Sequence, residues 1–205
     1  MAFWGIMVMN KLLNKEPPFF ADNLALDLVN TVVYTNGERF DFLQSDIDAI
    51  QWMRLAKLIP ADYSLTPALG AESGLLHYLK KLRTFISEQL DTLKNGQKPD
   101  VKHINQLLSE YPLFHYLEVS AEGEIHLVEQ YIAKELKSLF YPVVLATAQL
   151  MTRIDIHLFR QCEHEDCILW FEDKTKAHKR RWCSMATCGN KHKVTQFRKR
   201  NATTL

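Results

Sequence analysis

Acidic residues are missing from the end of this chain: from Lys174 to Leu205 there are ten Lys and Arg and no Asp or Glu. A bare run of that kind would be a solvated, self-repelling tail. Here it is interleaved with cysteine, tryptophan and phenylalanine, which points instead to a folded surface for a polyanion. Nor does any apolar run approach the roughly 20 residues that a membrane-spanning helix needs. Met1–Met9 is apolar but has no basic residue before it and no small-residue cleavage site after it. It does not read as a signal peptide, and the expectation is a cytoplasmic protein without membrane contact. A glycine-rich phosphate loop, HExxH and G-x-S-x-G are all absent, and the eight histidines are dispersed, so nothing marks an enzyme. Asp27, set among Leu24, Leu26, Leu28 and Val29, is the one odd carboxylate, and a hydrogen-bonded structural role is expected for it.

What is present divides by charge. Residues 1–152 hold 13 Lys/Arg against 18 Asp/Glu, whereas residues 153–205 hold 12 against 6. An acidic body therefore carries a basic end. The apolar fraction of 47% and charged fraction of 24% are ordinary for a globular chain. Pro17-Pro18 closes a leader over residues 1–18. The body, residues 19–155, shows helical periodicity over most of its length. Helices are expected at Leu24–Val29, at 45–58 with Ser45 as cap, from Thr66-Pro67 to Asn95-Gly96, and at Val101–Ser109. Asn36-Gly37 marks a turn and Pro60 a stop. Alternation over Phe114–Val119 and Glu124–Val128, flanking Ala121-Glu122-Gly123, predicts a β-hairpin. Helix resumes from Tyr131 to Arg153, with a kink at Pro142. The fold class is thus mainly α with a small β-hairpin, an α+β body, followed by a second module over residues 156–205.

All four cysteines lie in that module, as Cys162-x4-Cys167 and Cys183-x4-Cys188 separated by 15 residues. Two close pairs a hairpin apart suit a zinc-ribbon-like finger, in which each pair sits at a turn and four thiolates converge on one Zn²⁺. Two disulfides are the alternative, disfavoured in a reducing compartment. His164, beside Cys162, is the alternative donor. Four thiolates would leave no open coordination position, so the ion is expected to be structural. Trp170, Phe171 and Trp182 are expected to form a miniature core.

The stretches Trp170-Phe171-x-Asp173-x-Thr175, Arg180-Arg181-Trp182-Cys183-Ser184-Met185 and Cys188-Gly189-Asn190 closely resemble the CGNR-type zinc finger. Leu24-Ala25-Leu26-Asp27-Leu28-Val29-Asn30-Thr31 resembles the apolar segment, ending in Asn-Thr, of the ABATE domain that such fingers usually follow. The resemblance implies a stress-induced bacterial transcription regulator whose finger binds DNA. The family pattern has Arg where this chain has Lys191 and Ser where it has Thr175. Lys keeps the charge without the planar fork, which favours phosphate contact over base reading at position 191.

A short basic helix is expected after Cys188, with Gly189 at a sharp turn, Asn190 as its cap, and Val194 and Phe197 facing the module. Arg180, Arg181, Lys191, Lys193, Arg198, Lys199 and Arg200 are the expected DNA contacts. Asn30, Thr31 and Arg83 are the expected ligand residues of a body that senses a small-molecule effector and forms a homodimer. The competing reading is a zinc-ribbon module for RNA or protein, without sequence-specific DNA binding.

Overall fold

A computed structural model describes residues 16–35, 37–59, 74–111, 113–131, 136–152 and 156–202. The leader to residue 15, the Thr66-Pro67 helix start, Pro60 and Arg153 lie outside them. Helix α1 (Leu24–Val29) is opened by Asn23, whose side-chain oxygen accepts the Ala25 and Leu26 N–H groups at 3.0 and 3.2 Å. Its six residues are too few to hold a helix alone. Burial holds it: Ala25, Leu26, Asp27 and Leu28 are enclosed where α3 (Leu75–Lys94), α5 (Tyr141–Thr152) and strand β6 (Trp170–Glu172) meet.

Helix α2 (Asp46–Leu55) begins with a reciprocal cap between Ser45 and Asp48 and packs Ile50, Trp52 and Met53 inward, while Ile47 is exposed. In α3, Leu75, Leu79, Leu82, Ile86 and Leu90 make the buried stripe expected of helical spacing, and Gly96 ends it at φ +69°. Helix α4 (Val101–Ser109), capped by Asp100, packs on α5. The predicted hairpin is present as β3 (Leu113–Val119) and β4 (Ile125–Tyr131), with Gly123 at φ +85° in the connection.

Two features depart from expectation. The body has a second hairpin, β1 (Val32–Thr35) with β2 (Glu38–Asp41), whose four-residue strands are too short for alternation to show. The segment expected as one helix from Tyr131 is instead the end of β4 and, further on, a 3₁₀ helix (Leu136–Phe140) that passes into α5 at Tyr141, with Pro142 at that junction. The last module holds β5 (Phe159–Gln161), paired antiparallel with β6, then a π-turn at Met185–Gly189 leading into α6 (Asn190–Ala202).

Candidate metal centre and basic helix

The four cysteine sulfurs are brought within 4.8 Å of one another. The first pair flanks a turn closed by Cys167 N–H to His164 O at 2.9 Å, and Cys162 N–H bonds Leu169 O at 2.8 Å as the chain returns into β6. The second pair is set by the π-turn. Gly189 N–H reaches Ser184 O at 3.1 Å, and this wide turn puts residues five apart side by side. Gly189 has no left-handed conformation to satisfy; a Cβ there would stand 2.8 Å from the Met185 sulfur and 3.1 Å from Trp182, so it provides room.

The Sγ atoms of Cys167 and Cys183 are 3.8 Å apart, and those of Cys183 and Cys188 are 3.6 Å apart. A disulfide would bring sulfurs to about 2.05 Å. A tetrahedron of thiolates about 2.3 Å from a central Zn²⁺ has edges of about 3.8 Å, so the donor set fits that ion. Hydrogen bonds from Cys167, then Cys183 and Cys188, drive the Cys162 thiol far down, while the neighbouring sulfurs push Cys183 far up. Four thiols this close cannot all ionise without a cation among them. His164 stays out of the cluster, accepting the Asp166 N–H with Nδ1 at 3.1 Å.

Asp173 organises the loop between the pairs. It is fully buried, accepts the Thr175 hydroxyl and N–H at 2.6 and 3.1 Å, and accepts the Arg180 N–H at 2.8 Å. Burial pushes its carboxyl up, but these hydrogen bonds prevail and hold it below its ordinary value. Thr175 keeps the hydroxyl that this arrangement uses. Sequence reasoning gave Asp173 no such role; its signal was its place as the last acidic residue before the basic stretch.

The expected DNA contacts fall into two groups. Arg180 turns inward: its guanidinium lies 4.3 Å over the Phe171 ring and donates to the carbonyls of Trp182, Cys183 and Phe20. It ties the second cysteine pair to the body with its side chain 21% exposed, so it is more inward than the place expected of a DNA contact. Arg181 is half exposed, pairs with Glu163 at 2.6 Å and covers Trp182. Lys191 is half-buried, whereas Lys193, Arg198, Lys199 and Arg200 are exposed on α6.

That helix is rotated from expectation. His192 packs its ring 4.7 Å from Trp182, while Val194 and Phe197 are 46% and 65% exposed. Asn190 does not cap it. Its backbone is already helical, because the π-turn runs straight into α6, and its amide donates back to Ala186 O at 3.3 Å.

The three expected ligand residues have partners inside the chain. Asn30 is 1% exposed, donates to Trp170 O and accepts Trp170 N–H, both at 2.8 Å. Thr31 donates to Leu28 O and accepts from Arg83, whose guanidinium also grips both oxygens of Asp41 at 2.7 Å. Burial pushes the Asp41 carboxyl up, yet the Arg83 hydrogen bonds hold it below its usual value. None of the three lines the open hollow of about 740 Å³ between α3 and α4, which is bordered by His77, Lys81, Phe85, Glu88 and His103.

The module is seated on the body, not tethered to it. Phe159 and Trp170 belong to the body's core, and Lys94 lies over Trp170 at 5.4 Å. Glu172 N–H bonds Ala21 O at 2.9 Å, and Lys174 Nζ bonds Asp22 O at 2.7 Å. The module's own small core of Leu169, Phe171, Trp182 and three cysteines takes in Phe20 and Val33 from the body.

Four thiols that converge beside a two-stranded ribbon, with a basic helix after them, are consistent with a zinc-ribbon-like finger, and residues 159–201 match the CGNR zinc finger. Residues 22–153, well over half of the chain, match the ABATE family, described as "Putative stress-induced transcription regulator". The protein belongs to that family. No curated protein matches the chain. Among the described residues no helix is long and apolar enough to cross a membrane.

Proposed function

We propose that the protein is a transcription regulator, responsive to stress as its family's description says, in which one structural Zn²⁺ held by Cys162, Cys167, Cys183 and Cys188 fixes the base of α6 and α6 meets DNA. The observation that carries this reading is the coincidence of a four-sulfur donor set with the start of the basic helix: Cys188 lies in the π-turn that runs into α6. Zinc binding supplies folding free energy to a module with little core of its own. Lys193, Arg198, Lys199 and Arg200 are exposed, and Val194 and Phe197 lie among them. Cations that reach phosphates, with apolar groups between them, are what a helix in a major groove uses to hold the backbone and touch thymine methyls.

The test is metal analysis followed by titration with duplex DNA at two salt concentrations. One equivalent of zinc is expected. With about four phosphate contacts, affinity should fall roughly 100-fold between 50 and 200 mM salt. Binding that stays flat over that range contradicts the phosphate-contact reading. Equal affinity for duplex DNA, RNA and an unrelated polyanion favours the RNA or protein module instead.

A further inference from the structure

The β3–β4 hairpin holds an apolar face that, among the described residues, the body leaves exposed. All seven residues of β3 are exposed. The register pairs Leu117 with Leu127 and Val119 with Ile125, so these four aliphatic side chains occupy one face at the distal end. Their exposures are 67%, 71%, 66% and 68%; on the opposite face Phe114 and Tyr116 are less exposed, at 48% and 42%, and Val128 is partly covered. The ionisable groups on the aliphatic face are His115 and Glu129, which sit opposite each other with Nε2 and Oε2 3.6 Å apart. Beyond that pair, toward the turn, the face carries none.

A two-stranded hairpin is marginal in water unless its apolar face packs on something. We propose that this face is the homodimer interface, with the hairpins of two copies stacked face to face. Three observations select a second copy as occupant. An uncharged aliphatic patch is complementary to itself, as a two-fold interface demands. The hairpin carries Glu118, Glu122, Glu124 and Glu129 and no Lys or Arg, which sets it against nucleic acid. The four side chains expose on the order of 500 Å² per copy, the upper range for one patch on a monomer, and two copies together cover about the 1,000 Å² that marks a specific interface. Stacking at the usual sheet spacing of about 10 Å buries that face and supplies the second layer the hairpin lacks. The inference is independent of metal and DNA.

The test is sedimentation of the zinc-loaded full chain at micromolar concentration. The wild type is expected at twice the chain mass. Leu117→Glu and Leu127→Glu should each raise the dimer dissociation constant at least about 100-fold, since each puts two charges into one apolar contact. Glu118→Gln, on the opposite face, should remain dimeric. Far-ultraviolet circular dichroism and retained zinc confirm that the variants fold. A wild type that sediments as a monomer overturns the proposal, as does a dimer that survives Leu117→Glu.

Discussion

Replacing Asn30 by Ala should destabilise the whole protein while touching no surface a ligand could reach. The amide makes two hydrogen bonds of 2.8 Å, one to each backbone group of Trp170, and is 1% exposed. Truncation leaves a buried N–H and a buried C=O without partners, each costing about 1–3 kcal/mol, so the expected loss is about 4 kcal/mol. For a chain of this length that corresponds to a fall of about 8–16 °C in Tm. Urea unfolding of the zinc-loaded protein, followed by tryptophan fluorescence, measures it. Asn30→Asp should not rescue: a carboxylate still accepts the Trp170 N–H but meets the Trp170 carbonyl without a proton to donate. A loss under about 1 kcal/mol for Asn30→Ala would refute the argument that this residue joins the finger to the body.

Asp27 gives a pH signature. Burial raises its carboxyl to about 6, against the partial opposition of the Ala21 N–H that it accepts at 3.1 Å. The folded state therefore keeps a proton that the unfolded state releases near pH 4, and this residue's contribution to stability falls as pH rises from about 4 to 6. Asp27→Asn should remove that slope and leave the variant more stable at pH 7, by about 1–3 kcal/mol, when urea midpoints are compared with wild type at each pH. Equal slopes in the two proteins would contradict it. The two groups of basic residues should also separate: Arg180→Ala should lower stability and speed zinc loss to a chelator, whereas Lys193→Ala/Arg198→Ala should weaken DNA binding about tenfold and leave unfolding unchanged. Equal effects of the two changes on DNA affinity, with no difference in zinc retention, would contradict the inward role of Arg180.

Long periodic segments were legible because their burial repeats: the stripe from Leu75 to Leu90 is the one that packs inward in α3. The cysteine pairs were legible as a donor set, since the spacing already suggested two turns. Less legible was why the second pair is five residues apart, because nothing in Ser184–Gly189 advertises a π-turn. The orientation of α6 was misread for a related reason. A helix assumed to start at Asn190 faces Val194 and Phe197 inward, but one continuing from the π-turn puts His192 against Trp182 and leaves them outside. Short strands escaped as well, since four residues such as Val32–Thr35 are set by pairing with Glu38–Asp41 more than by their own pattern.

Two of the residues expected to meet a ligand or DNA, Asn30 and Arg180, are instead bonded to backbone groups at the join of body and finger. Strand β6 is three residues long and pairs with β5 alone, yet Trp170 and Glu172 still have backbone groups to satisfy away from solvent. Asn30 meets Trp170 from 140 positions away, and the Ala21 carbonyl meets Glu172. Arg180 does the same for the carbonyls of Phe20 and Cys183. A polar residue beside an apolar run, read alone, looks like a group waiting for a ligand. Here the other end of the same chain is what it holds. The Asn-Thr that closes α1 consequently has two structural tasks: Asn30 holds the edge of the finger, and Thr31 takes Arg83 from the long helix α3. Body and finger, matched as separate families, are stabilised as one folded unit through these contacts.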